Sequence, residues 1–178
     1  MISHEYKCIF VHISRTGGSS IEKAICGREW WKINPATKHL TASQTKEIYK
    51  DYWNSYFKFS FVRNPWDRLV SCFSLRAYHA PKKKSDVLTF LKNIKTPDWE
   101  PQLFEYVDIL DIDLDFVGKY ETLGEDFDYI KNKTGVKKDL PLIGQTKRTK
   151  YQDYYCEESK KMVEELYKKS IEKYEYKF

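Results

Sequence analysis

The stretch Ile9-Phe-Val-His-Ile-Ser-Arg-Thr-Gly-Gly-Ser-Ser20 decides how this chain is read. Its first half, with Ile9, Phe10, Val11 and Ile13, has the pattern of a buried strand, and its second half is a loop of small residues. Arg15 sits at the lip, Gly17 and Gly18 at the bend, and Ser19 and Ser20 at the start of a helix. That helix continues through Ile21–Ile25 and stops near Gly27. A strand, a Gly-rich turn and a helix N-terminus together suit an anion, because glycine lets the backbone approach and turns its N–H groups inward. Thr16, Ser19 and Ser20 add hydroxyl donors, and Arg15 adds a fixed positive charge. The nucleotide-triphosphate loop GxxxxGK[ST] is absent, so the ammonium and magnesium-binding hydroxyl of ATP and GTP hydrolases are missing from their usual places. A turn that merely starts a helix is the bland alternative.

A second informative stretch is Phe57–Ala77, FKFSFVRNPWDRLVSCFSLRA. Phe57, Phe59 and Phe61 alternate with Lys58, Ser60 and Val62, as in a strand with one well-buried face. Asn64 is a good helix cap, Pro65 suits the first helical position and Asp67 the first turn. Leu69, Val70, Phe73 and Ala77 then mark the buried side of the helix. Arg63 therefore stands at the C-terminal end of a strand, where open α/β sheets bind ligands. Ser71 lies about two turns beyond the cap, on the cap's face, so Arg63 and Ser71 are placed to hold one phosphate from two sides. The competing reading pairs Arg63 with Asp67 and leaves Ser71 as a small packing residue.

The totals narrow the class. At 178 residues the chain suits a single domain, 1–178, with a real core. With 41% hydrophobic and 32% charged residues it reads as soluble and globular rather than disordered. A net charge of +5 favours an anionic ligand, yet no basic block exceeds Lys82–Lys84, so a nucleic-acid groove is not indicated. Cys8, Cys26, Cys72 and Cys156 lack CxxC spacing, and His4, His12, His39 and His79 form no ligand pattern with them. Neither a disulfide frame nor a metal site is expected. No stretch approaches the roughly 18 apolar residues of a membrane span, and no cleavage signal follows the short apolar run near the start. The expectation is a cytoplasmic protein without a membrane anchor.

Between the two long stretches, Trp30–Lys38 is irregular, with Asn34-Pro35 as a turn. Thr41 and Gln44 fit a capping box, predicting a helix from about Thr41 to Tyr52 and placing His39 on the loop before it. His39 is either a solvated loop histidine or a general base, since neutral imidazole accepts a proton near pH 7. Further on, Ser85–Asn93 is a short helix, Trp99–Gln102 a turn, and Asp108–Asp115 a loop or edge strand without the glycine of a calcium loop. Phe116–Tyr120 reads as a core strand, followed by a helix on Leu123, Phe127 and Ile130 that closes at Gly135. Leu140–Tyr151 is a cation-bearing loop, and Glu157–Tyr174 is one packing helix with Met162, Val163, Leu166, Tyr167 and Ile171 on a face. No heptad seam marks an oligomer.

Ser14-Arg-Thr-Gly-Gly-Ser-Ser20 together with Phe61-Val-Arg-Asn-Pro-Trp-Asp-Arg-Leu-Val-Ser71 resembles the two cofactor motifs of PAPS-dependent sulfotransferases. The resemblance is nearer to the carbohydrate branch (Golgi-type, heparan-modifying). It continues through Lys38–Thr41, Trp99–Gln102, Phe116–Glu121 and Tyr151–Phe178. It implies a three-layer α/β/α fold around a parallel sheet, akin to P-loop nucleoside-triphosphate hydrolases, with strands near 7–13, 57–62 and 116–120. It also implies PAPS as donor, PAP as product, no metal, and an acceptor hydroxyl, most readily on a saccharide. Thr16, Gly17, Gly18, Ser19 and Ser20 then hold the 5′-phosphosulfate, and Arg63 and Ser71 the 3′-phosphate, with Lys147 or Arg148 closing over it. His39 falls where related carbohydrate enzymes place their base. Arg15 stands where the family usually has a catalytic lysine, and Ser14 where it usually has proline. An arginine keeps the charge but is a planar fork rather than a compact donor. A nucleotide or small-molecule kinase, and a binding module without turnover, are the rival readings.

Overall fold

The stretch Phe57–Val62 forms the expected strand, but Phe59, Ser60, Phe61 and Val62 are all buried, so both faces of its second half are covered rather than the one face the alternation predicts. In the computed structural model, residues 1–77, 80–93, 105–145 and 147–178 are described, Arg76 by its backbone alone. The Trp99–Gln102 turn and His79 lie outside the described residues. Two compact units are formed, residues 1–62 with 108–144 and residues 63–107 with 145–178.

The first unit holds a four-stranded sheet in the order β1-β2-β3-β4, formed by Ile2–Ser3, Cys8–Val11, Phe57–Val62 and Phe116–Lys119. β2, β3 and β4 are parallel, with Phe10 opposite Phe59 and Phe61 opposite Gly118. β1 runs antiparallel to β2, so the sheet is mixed rather than wholly parallel. That edge was not expected, because two residues carry no readable periodicity.

Phe10, Phe59 and Phe61 are fully buried, with the Phe10 and Phe59 rings stacked at 5.1 Å. Each such ring contributes about 1.5–3 kcal/mol by leaving water. They pack with Ile21, Ala24 and Ile25 of α1 (Gly18–Cys26) and with Phe127 and Ile130 of α7 (Leu123–Thr134). Both helices end at glycine, Gly27 and Gly135. This is the expected α/β class, a mostly parallel sheet flanked by helices.

Between β2 and β3 lie α2 (Ala42–Ile48) and α3 (Lys50–Trp53). The capping box forms as read: Thr41 accepts from the Gln44 N–H, and the Gln44 side chain accepts from the Thr41 N–H. The single helix expected to Tyr52 instead breaks at Tyr49, whose φ of −109° and ψ of 29° leave the helical range.

The second unit contains α4 (Pro65–Ala77), α5 (Lys84–Asn93), α8 (Glu157–Leu166) and α9 (Lys168–Tyr174), with the one-turn α6 (Tyr106–Ile109) where the chain passes between units. Trp66, Leu69 and Val70 of α4 share a core with Val87, Leu91, Tyr154, Tyr155, Val163 and Tyr167. The single helix expected over Glu157–Tyr174 is two, parted at Tyr167 (φ −118°, ψ 27°). Leu166 consequently turns out 40% exposed instead of buried. Asp108–Asp115 forms no edge strand: its start belongs to α6 and the rest is irregular. Among the described residues no helix is long and apolar enough to cross a membrane.

Candidate functional site

The loop after β2 takes its shape from local backbone chemistry. Arg15 has φ 66° and Gly17 φ 87°, both left-handed, which reverses the chain within a few residues. For arginine that region is strained by roughly 1–2 kcal/mol, so the turn spends stability to hold Arg15 where it is. The Thr16 hydroxyl donates to the Ile13 carbonyl at 2.8 Å, and Thr16 is fully buried. Its side chain therefore helps to close the turn. Gly17 caps α1, accepting from the Ser20 and Ile21 N–H groups at 3.0 and 3.3 Å. The first N–H groups of a helix have no partner within it, and here they belong to the Gly18-Ser19 segment. Ser19 is half-buried and Ser20 buried.

Gly18 is required for a different reason. A Cβ there would lie 1.9 Å from His12 Nε2 and 2.2 Å from His12 Cδ2. The imidazole of His12 thus fills the space under the first residue of α1. Its Nδ1 donates to Glu22 Oε1 at 2.6 Å. The other carboxylate oxygen of Glu22 accepts from Lys38 Nζ at 2.6 Å and from the Trp30 N–H at 2.9 Å. Glu22 is fully buried, and Lys38 and His12 nearly so. Burial alone would raise the Glu22 carboxyl, but His12 and Lys38 hold it down to about 2. Burial lowers His12, which the Glu22 hydrogen bond offsets only in part. The network is an ionised Glu22 with Lys38 as counter-charge and a neutral His12.

His39 is attached to the same network through the backbone. Its Nδ1 lies 3.1 Å from the His12 carbonyl oxygen, and its ring centroid 4.7 Å from that of His12. A carbonyl only accepts, so Nδ1 carries the proton and Nε2 carries the lone pair. Burial, and next the neighbouring His12 ring, hold His39 down to about 4. The ring is neutral at pH 7, in the tautomer a base requires. On its other side stands Trp31, 52% exposed, its ring centroid 5.6 Å from that of His39. Lys38 Nζ lies 5.4 Å from the Trp31 ring.

In the second unit, the Arg63 Nε and Nη2 donate to Asp67 Oδ2 at 2.8 and 2.6 Å. Arg148 Nη2 donates to the other oxygen of Asp67. One carboxylate thus gathers two of the three arginines that the sequence singled out, Arg63 and Arg148. The pairing of Arg63 with Asp67, held as the bland alternative, is formed. It orients the guanidinium at the head of α4, because a planar fork bound through two nitrogens has little rotational freedom. The Tyr106 hydroxyl donates to the Arg63 carbonyl. Asn64 Oδ1 accepts from the Trp66 and Asp67 N–H groups, the helix cap expected. Ser71 is buried, Arg148 half-buried and Lys147 exposed. The structure joins Arg148 to Arg63 through Asp67 and gives Lys147 no such tie.

Sequence reasoning missed the His12, Glu22 and Lys38 network and the placement of Trp31 against His39. A signal existed for Glu22. Gly18, Ile21, Glu22 and Ile25 have helical spacing, which sets a carboxylate on an apolar face. A buried carboxylate requires partners, and alternation along β2 puts His12 on the face of Phe10. No comparable signal distinguishes Trp31 from Trp30, since adjacent tryptophans look alike until one is buried.

A family model, the sulfotransferase family, matches residues 1–177. The chain is 25% identical over 158 residues to carbohydrate sulfotransferase 10 of Xenopus laevis, covering 64% of this chain and 44% of that protein. The chain thus spans less than half the length of that relative. It is 30% identical over 99 residues to an uncharacterized protein of Archaeoglobus fulgidus, covering 52% of this chain and 79% of that one. No solved structure matches.

Proposed function

Because this chain belongs to the sulfotransferase family, we propose that it moves a sulfuryl group from PAPS to a hydroxyl of a saccharide acceptor, with His39 as base. The observation that carries this reading is the tautomer of His39. Its Nδ1–H is committed to the carbonyl of His12, three residues before Arg15 in the chain, so Nε2 is the basic nitrogen. The acceptor hydroxyl gives its proton to His39 Nε2 as its oxygen attacks sulfur in line. The bond from sulfur to the bridging oxygen breaks, and PAP leaves with that electron pair. An imidazole held down to about 4 is too weak a base to ionise a resting alcohol. Transfer of the proton is therefore late, when the new S–O bond has made it acidic. Arg15 and the backbone N–H groups of Gly18 and Ser19 hold the charge that develops on the leaving phosphate, a preorganised electrostatic role. Arg63, Ser71 and Arg148, with Lys147, take the 3′-phosphate that distinguishes PAPS from ATP-like donors. The saccharide is supported by the similarity to a carbohydrate sulfotransferase.

The test has two stages. Thermal denaturation with adenosine 3′,5′-bisphosphate should raise Tm, and ATP with magnesium should not. Transfer of labelled sulfate from PAPS to a saccharide panel should then be seen for the wild type. His39→Ala should lose it by 100-fold or more, about the contribution of a general base, while keeping the bisphosphate-induced rise. Stabilisation by ATP with magnesium alone overturns the proposal in favour of a kinase. Bisphosphate binding without transfer overturns it in favour of a binding module.

A further inference from the structure

Adjacent residues Trp30 and Trp31 have opposite fates. Trp30 is buried, its backbone N–H bound to Glu22 and its indole N–H donating to Thr37 Oγ1 at 2.8 Å. This anchors the short 3-10 turn Trp30–Lys32 and leaves Trp31 more than half exposed. An indole costs more to leave in water than almost any other side chain, because so much of its surface is apolar. The position is not slack. Lys38 Nζ, at 5.4 Å from the ring, is itself tied to the buried Glu22, and His39 meets the ring at 70° and 5.6 Å. The indole is thus braced, with a fixed ammonium over its ring and the His39 imidazole in edge-to-face contact with it.

We propose that Trp31 is the acceptor platform, covered by the apolar C–H face of a pyranose ring one of whose hydroxyls reaches His39. This rests on the reading of His39 as the base. A ligand on the indole must be flat enough to cover it and must carry a hydroxyl at its edge. A pyranose does both, with a face of C–H bonds and a rim of hydroxyl groups. A ring seated at the usual stacking separation of about 4.5–7 Å brings that rim to the imidazole that flanks the indole. A linear alcohol covers too little of the indole. A tyrosine side chain covers it but carries a single hydroxyl at the end of its long axis, so fewer poses bring oxygen to His39.

The experiment pairs binding with turnover. Saturation-transfer difference NMR is recorded on the protein saturated with adenosine 3′,5′-bisphosphate, with methyl β-galactopyranoside, N-acetyllactosamine and a tyrosyl peptide as probes. Transfer of labelled sulfate to the same three is measured alongside, for wild type, Trp31→Ala and Trp31→Phe. The expected result is saturation of the C–H protons on one sugar face, lost in Trp31→Ala and kept in Trp31→Phe. In transfer, Trp31→Ala should raise acceptor KM tenfold or more, with KM for PAPS and affinity for the bisphosphate within twofold of wild type, and Trp31→Phe should restore most of it. Unchanged sugar contacts and KM in Trp31→Ala overturn the platform while leaving the sulfotransfer reading intact. So does exclusive use of the tyrosyl peptide, or the absence of sugar contacts in a protein that binds the bisphosphate. Failure to bind the bisphosphate, with Trp31-dependent sugar contacts preserved, overturns the sulfotransfer reading and supports the platform alone.

Discussion

Replacing Gly18 with alanine asks the His12 ring to give way. The new methyl would lie 1.9, 2.2 and 2.4 Å from Nε2, Cδ2 and Cε1, so the whole far edge of the imidazole is in the way. Ordinary contact begins near about 3.5 Å, and the ring must withdraw by roughly 1.5 Å. Its opposite edge is pinned by the 2.6 Å bond to Glu22, and its face is stacked on Phe10 at 5.3 Å. A shift of that size breaks the bond to the carboxylate, at about 1.5–3 kcal/mol, and strains the surrounding core by about 1–3 kcal/mol. Alanine returns up to about 1 kcal/mol of helix propensity. The net destabilisation is about 3 kcal/mol, which for a chain of this size lowers Tm by about 6–12 °C. Thermal denaturation measures it, and a double-mutant cycle with His12→Ala isolates the cause. In the His12→Ala background the obstacle is gone, so Gly18→Ala should be neutral or slightly stabilising. The coupling should therefore be about 3 kcal/mol, at the upper end for residues in contact. A Tm within about 2 °C of wild type, or strictly additive effects of the two changes, refutes the reasoning.

Glu22→Gln leaves the buried Lys38 ammonium without its counter-charge and should cost about 3–5 kcal/mol, read as a lower denaturant midpoint with an unchanged slope. Acidification should act in two windows. The neutral form of His39 is the active one, so transfer measured against pH should be level down to about 5 and fall as pH drops through about 4. Stability follows a wider course. The unfolded imidazole takes up a proton near 6.5 that the folded one resists to about 4, so His39's contribution is present above 6.5 and is lost as pH falls to 4. Glu22, at about 2 folded against 4.5 unfolded, extends the loss from 4.5 to 2. Denaturation midpoints between pH 7 and 3 check both, and a flat profile contradicts them. Arg63→Lys replaces a fork held by two bonds to Asp67 with a point charge. It should weaken adenosine 3′,5′-bisphosphate binding by about tenfold or more and leave AMP, which lacks the 3′-phosphate, within threefold. Titration calorimetry with both nucleotides checks the difference, and equal losses would remove Arg63 from 3′-phosphate recognition.

The elements that carry the candidate residues were legible because they follow local rules. The strand at Phe57–Val62, the Asn64 cap with Pro65, the Thr41–Gln44 box and the glycine stops at Gly27 and Gly135 all appear where short-range chemistry puts them. The helix breaks at Tyr49 and Tyr167 were not legible, since apolar periodicity runs straight through both. The loop Ile13–Gly18 was legible as a tight Gly-rich turn, but the division of labour inside it was not. The Thr16 hydroxyl is bound to the Ile13 carbonyl, and Gly18 makes room for an imidazole. What the chain determines by itself is therefore which residues start, stop and face inward, because these depend on neighbours a few positions away. What only the tertiary structure decides is which polar groups meet. Glu22 finds His12 ten residues back and Lys38 sixteen ahead, and Arg148 finds Asp67 from 81 residues away. Such partnerships are settled by packing in three dimensions, where burial makes an unpaired charge too costly to leave; spacing can place a carboxylate such as Glu22 on a buried face but does not name all its partners.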